Sequence, residues 1–231
     1  DGDGVCDEFC DGDFFISSQQ ELLDISHCVE ISGSLSIEGT EITDEDLLLL
    51  LNLKFIGADL HINDNSHLTT LEGFSELLNI GGDAVISGNE VLTNLDGLEN
   101  LLEIEGSLWI DNNPQLEDIG SLFEDLDILS NILIFENDFL CSANVDDFYE
   151  HMNEEGWLGI PTSYDNSSSD QDCDGFDSSV DCNDSNAILG ADSDGDGICD
   201  GLCIGDYIIT NEEELQEISH CIEIIGSLSI L

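Results

Sequence analysis

The chain is 231 residues long and 41% hydrophobic, and its 54 acidic residues face one lysine, Lys54, and no arginine, for a formal charge of −53. That balance excludes nucleic acid as a partner, because nothing here could neutralise phosphates, and it argues against anionic membrane surfaces. The hydrophobic content excludes a disordered chain, and no apolar run reaches the roughly 18 residues of a membrane span.

The first 37 residues return 193 residues later without a gap. DGDGVCDEFC at 1–10 recurs as DGDGICDGLC at 194–203, and 23 of the 37 aligned positions are identical. Such a period marks a chain built as an array, and the sequence is expected to hold a little over one unit of it. Ser18-Gln19-Gln20-Glu21 reads as a capping box opening a short helix, and Asn211-Glu212-Glu213-Glu214 is its copy.

A shorter period follows. Ile56, Ile80, Ile104 and Ile128 are 24 residues apart, as are Ile62, Ile86, Ile110 and Ile134, and Leu60, Ala84, Leu108 and Ile132. Asn65, Asn89, Asn113 and Asn137 form another column, followed by Leu68, Leu92, Leu116 and Leu140. Ile31, Leu35 and Ile37 supply a first rung after one extra residue, which makes five rungs. Each rung offers a short strand (GSLSI, ADLHI, DAVI, GSLWI, NILIF) in which alternate residues point inward. Strands of successive rungs should pair in parallel, and the asparagine amides should bond loop backbone at the corners. The expected fold is mainly β: a short parallel β-solenoid of five rungs with small capping helices, joined to an irregular linker.

These columns resemble the leucine-rich repeat, LxxLxLxxNxLxxL. They are closer still to the receptor L-domain style of bacterial surface proteins, of which LLEIEGSLWIDNNPQLEDIGSL is a near-complete instance. The resemblance covers roughly residues 28–140. Lys54 departs from it, because its column continues as Leu78, Leu102 and Leu126; its stem is expected to be buried and its amine to reach a carboxylate. Residues 144–157 read as a closing helix with Phe148, Met152 and Trp157 on the apolar side, and 161–170 as a polar linker.

Between 165 and 200 lie eleven aspartates and no cation. Asp170, Asp172 and Asp174 stand at loop positions 1, 3 and 5 with Gly175 at 6. Phe176 offers a carbonyl at 7, Asp181 falls at 12, and Asp184 is a further oxygen donor. That is the calcium-loop spacing of an EF-hand. Asp192, Asp194, Asp196, Ile198 and Asp200 repeat the pattern, but Cys203 stands at position 12. This second loop resembles the thrombospondin type 3 repeat, which implies calcium sites along an extended chain. Asp1, Asp3, Val5 and Asp7 are its copy at the front. The competing reading is an acidic linker kept soluble by its charge. Magnesium avoids cages built wholly of protein oxygens, and zinc would need histidine nearby. Ca2+ is therefore the expected cofactor.

The cysteines, six to a unit and without a CxxC pair, point to disulfides and an oxidising compartment. Cys10 and Cys28 flank the first cap, and Cys203 and Cys221 flank its copy. Cys173 and Cys182 bracket the first loop. Cys141 and Cys199 remain; Cys141–Cys199 would tie the last rung to the second loop, and Cys182–Cys199 would follow the thrombospondin style. His27 and His220 read as surface histidines beside disulfides. Asn166-Ser167-Ser168 fits a glycosylation sequon, and Asp59 and Asp83 read as solvated.

Strand alternation points Trp109 outward, in a row with Val85 and Leu133 and beside Phe135. Such an apolar patch on an acidic surface reads as an interface, unless the closing helix or linker covers it. The expected domains are 1–9, the end of a preceding calcium-binding linker; 10–160, the capped solenoid; 161–202, the calcium-binding linker; and 203–231, the start of the next solenoid. The expected function is a structural or adhesive extracellular repeat protein, one unit of a calcium-stiffened, disulfide-pinned surface fibre. Its partners would be adjacent units of the array, with lateral self-association as a further possibility. The alternative is a ligand-binding ectodomain, for glycan or protein, of a cell-surface adhesin. An enzyme is not expected, since the chain lacks arginine and its lysine stands in a leucine column.

Overall fold

A computed structural model describes residues 8–39, 41–122, 126–164, 166, 201–204, 207–209, 221–225 and 227–230. The protein is mainly β, with two large parallel sheets and few helices. Short and longer strands alternate along the chain: β1 (Phe9–Cys10), β2 (Phe14–Ile16), β3 (Glu30–Ile31), β4 (Leu35–Glu38), β5 (Phe55–Ile56) and β6 (Leu60–Asn63). Then come β7 (Asn79–Ile80), β8 (Ala84–Ser87), β9 (Glu103–Ile104), β10 (Leu108–Asp111), β11 (Asp127–Ile128), β12 (Ile132–Phe135) and β13 (Pro161–Tyr164). Odd-numbered strands β1 to β11 form a six-stranded sheet in chain order. Even-numbered strands β2 to β12, with β13 beyond β12, form a seven-stranded one.

The chain divides into two compact units, Asp1–Leu140 with Asn144–Ser167, and Cys141–Ala143 with Ser168–Leu231. In the first, register follows the sequence columns: Leu60 faces Ala84, Ala84 faces Leu108, and Leu108 faces Ile132. Alternate residues of each long strand are buried, as Leu108 and Ile110 are on either side of half-buried Trp109. The inward columns stack into one core with Leu71, Phe74, Leu95 and Phe148. No single repeat could bury such a face alone. Each long strand from β6 to β12 leads into a left-handed corner, at Asp64, Gly88, Asn112 and Glu136, with φ of 54, 70, 56 and 55°. The turn aims the next residue, always asparagine, into the interior.

The extent of the pairing, the first capping box and the place of Lys54 need correction here. The pairing begins earlier than the 24-residue period, because β1 and β2 pair with β3 and β4. It also ends later, because Pro161–Tyr164, read as linker, is an edge strand on β12. Proline is tolerated there, since the first residue of an edge strand need not donate to a ladder.

The helix α1 (Gln19–Ile25) starts at Ser18 as expected, but Ser18 makes no side-chain cap bond. The Glu21 carboxylate instead accepts from the backbone N–H of Ser17 at 2.7 Å and from the hydroxyls of both serines. Those bonds, led by the Ser17 N–H, hold its pKa below the usual value. The complete capping box lies at Thr43 and Asp46, opening α2 (Asp44–Leu47).

Lys54 is the third correction. In the earlier rungs the buried column lies one residue earlier, at Leu53, Leu77 and Leu101, while Leu126 of the Lys54 column is buried. The Lys54 side chain is 42% exposed, and only the amine behaves as expected, 3.6 Å from Glu76. Leu102, in the same column, is 49% exposed.

α3 (Ser142–Glu154) follows β12 and buries Val145, Phe148, Tyr149 and Met152. Tyr149 donates its hydroxyl to the Thr162 carbonyl at 2.9 Å, and its ring stacks on Trp157, 12° from parallel. Trp157 donates Nε1–H to the Ser130 carbonyl at 2.8 Å. The second unit contains two parallel pairs, β14 (Gly201–Ile204) with β16 (Cys221–Ile225) and β15 (Tyr207–Ile209) with β17 (Leu228–Ile230). Among the described residues no helix is long and apolar enough to cross a membrane.

Candidate interaction face and the ladders that hold it

The outward side of the long sheet carries the row expected from sequence. Trp109 faces Val85 on one side and Leu133 on the other, and Asp111 faces Phe135. All four expected interface residues, Val85, Trp109, Leu133 and Phe135, are half-buried. The row continues through His61 and Ser36 to Phe15, which is 61% exposed and was not anticipated. The closing helix directs its apolar residues into the core cluster.

Two ladders of side chains fix the ends of the long strands. Buried Asn65, Asn89, Asn113 and Asn137 each pass the bonding forward. The Asn89 carboxamide oxygen accepts from both the backbone N–H and Nδ2 of Asn65, each at 3.1 Å, and Asn89 Nδ2 donates to the Ile62 carbonyl at 2.9 Å. Asn113 does the same for Asn89, and Asn137 for Asn113. Asn166 is the fifth member. Its oxygen accepts from Asn137, and its Nδ2 donates to the Ile134 carbonyl at 2.9 Å. The sequon at Asn166 is therefore a structural position: the nitrogen a glycan would occupy is buried and engaged.

The second ladder runs along the starts of the same strands. The Asp13 carboxylate accepts from Ser34 N–H at 2.8 Å, Ser34 Oγ from Asp59 N–H at 3.2 Å, and Asp59 from Asp83 N–H at 2.9 Å. It continues through Asp83 to Ser107 and through Ser107 to Asn131. Asp59 and Asp83 are thus not merely solvated, because each satisfies a backbone donor in the next strand. Sequence reasoning missed this ladder because its members differ in type. The signal available was a column occupied only by short side chains that can accept a hydrogen bond.

Cys10 and Cys28 form a disulfide, with Cα atoms 5.7 Å apart. Exposed His27 places Nε2 3.7 Å from Cys10 Sγ. These three residues have the proximity of a metal group, but a disulfide leaves no thiolate to bind an ion. Cys141 is also disulfide-bonded. The side chains of Cys203 and Cys221 are outside the described residues, as are Cys173, Cys182 and Cys199. So are the expected calcium ligands Asp1, Asp3, Val5 and Asp7, Asp170 to Asp184, and Asp192 to Asp200. No protein-family model matches the chain, and no curated protein matches its sequence.

Proposed function

We propose that this chain is one unit, and the beginning of the next, of a tandem-repeat structural or adhesive fibre at the cell surface. One observation carries the reading. In the first unit Phe14, Phe15 and Ile16 face Leu35, Ser36 and Ile37; in the second, their copies Tyr207, Ile208 and Ile209 face Leu228, Ser229 and Ile230. The sequence repeat is thus also a repeat of strand register, as Cys10 facing Ile31 and Cys203 facing Ile224 repeat it in the other pair. A chain that restarts the same block after 193 residues is organised for length.

The finer fold in this reading is a leucine-rich-repeat-like solenoid of five rungs, with an added turn through β1 and β2. Its support is the parallel pairing of both strand sets in chain order. The linker at 161–202, beyond its first strand, holds Ca2+ through the two aspartate loops, on the strength of their spacing. Disulfides at Cys10–Cys28 and at Cys141 support an oxidising, extracellular setting. No catalytic role belongs to this reading: arginine is absent and the lysine pairs with Glu76. The alternative, a ligand-binding ectodomain of an adhesin, draws on the Trp109 row.

Negative-stain microscopy of native material separates the two. Filaments with a regular axial repeat are expected, and isolated particles on an otherwise smooth surface would sink the fibre reading. For calcium, chelation should speed proteolysis within 165–200 while the β-rich signal of the solenoid persists; equal cleavage with and without chelator would refute that part.

A further inference from the structure

We infer that the outward face of the long sheet around Trp109 receives a cationic polypeptide segment, an arginine or lysine head lying over the indole with Asp111 alongside. The inference is independent of whether units join into a fibre.

The argument begins with the row itself. Val85 and Leu133 flank Trp109 in direct cross-strand register, so the indole lies in an apolar row, which Phe135 widens at β12 opposite Asp111. Both margins of that row carry carboxylates. Asp111 is two residues along the same strand, on the same side of the sheet, and Ser87 holds its carboxylate through a 2.8 Å hydrogen bond. Asp83 is held on the other margin, where it accepts Ser107 N–H at 2.7 Å. An aromatic face between two anchored carboxylates suits a cation: the ring quadrupole and the carboxylates attract the same charge.

The whole-chain charge then selects the partner. With 54 acidic residues and one lysine, the protein has almost nothing of its own to set against these carboxylates, and that lysine already pairs with Glu76. A second copy would bring the same excess of negative charge to the contact, and an acidic glycan would be repelled. A neutral sugar would use the indole but draw nothing from the field. A basic segment gains from both, and the field would also speed its encounter.

The test uses the full chain, calcium-loaded, at physiological ionic strength. A short all-arginine peptide is titrated and read by calorimetry, with the citrulline version as the uncharged control. Trp109→Ala should weaken the arginine peptide about three- to tenfold, and Asp111→Asn should weaken it as well. Trp109→Phe should keep most of the affinity and the melting temperature, which separates lost contact from lost fold. Asp24→Asn, far along the chain on α1, should change little. The proposal is overturned if Trp109→Ala and Asp24→Asn behave alike, since binding would then follow net charge alone. It is equally overturned if what Trp109→Ala abolishes is binding of a neutral oligosaccharide, or self-association seen by sedimentation, with the peptide affinity unmoved.

Discussion

Asn137 donates both its backbone N–H and its side-chain Nδ2 to one oxygen, the carboxamide of Asn166, at 3.3 and 3.2 Å. The same forked contact joins each pair of the ladder, so removing a middle member orphans donors on its neighbour. Asn89→Ala leaves the Asn65 N–H without an acceptor and its Nδ2 with the Ile37 carbonyl alone, in a site closed to water. A buried group left unpaired costs about 1–3 kcal/mol, so Asn89→Ala should lose at least about 2 kcal/mol in a denaturant melt. Asn65→Ala, at the end of the ladder where the carboxamide oxygen accepts from no described donor, should cost less. Equal losses at the two positions would show that the ladder does not act in this way.

The left-handed corners give a prediction of the opposite sign. Glu136 has φ of 55° where the preceding repeat but one has Gly88 at 70°. A side chain in that region costs about 1–2 kcal/mol, partly offset by the extra freedom glycine has when unfolded. Glu136→Gly should therefore stabilise by about 0.5–1 kcal/mol and Gly88→Ala should destabilise. Parallel thermal melts of both variants would decide it; a destabilised Glu136→Gly would refute the strain argument.

Tyr149 sets an alkaline limit. Burial pushes its hydroxyl up to about 12 from an ordinary value of 10.0. The folded state thus favours the neutral phenol, and the stability linked to it is complete below pH 10 and lost as pH rises towards 12. Wild type should lose melting temperature across that window, and Tyr149→Phe, which has no proton to lose, should show a shallower decline. Coincident slopes for the two proteins would dismiss the assignment.

Trypsin resistance rests on backbone rather than on burial. The Lys54 side chain is half exposed, but its N–H donates to the Val29 carbonyl at 2.8 Å and its own carbonyl accepts from Leu78 at 2.9 Å. Cleavage requires those bonds to open. The native chain should be cut slowly, at a rate that follows unfolding as urea is raised, and Glu76→Ala should not accelerate it, because an exposed ion pair contributes about 0–1 kcal/mol. Fast cutting without denaturant would refute this.

What the sequence revealed depended on how regular each column was. The columns of Ile56, Leu60 and Ile62 recur at one spacing and with one chemistry, and they gave strands, register and the outward turn of Trp109. Lys54 was misjudged because Leu77-Leu78 and Leu101-Leu102 offer two neighbouring columns of equal hydrophobicity, and only the packed structure says which faces in. Asn166 escaped notice because α3 and β13 intervene between it and Asn137, which breaks the spacing of the ladder. Phe14 to Ile16 escaped because the link to Leu35 is shorter than a full repeat.

The pairing of Leu35 with Leu60 spans one residue more than that of Leu60 with Ala84, yet both put leucine or alanine inward. The surplus falls on the connecting side, where α2 precedes a 3-10 turn at Leu48–Leu50, whereas the next repeat has the equivalent 3-10 turn alone at Glu72–Phe74. Tolerance to change in length is therefore one-sided. An insertion among the connecting turns is absorbed, whereas one inside a long strand would turn every following core residue of that strand outward. Whole repeats can be gained or lost in descent at little risk, because each corner asparagine needs only some asparagine after it, not a particular one. Evolution could lengthen or shorten this protein by copying segments, and natural variants should differ by entire repeats or within the connecting turns, with the long strands constant in length.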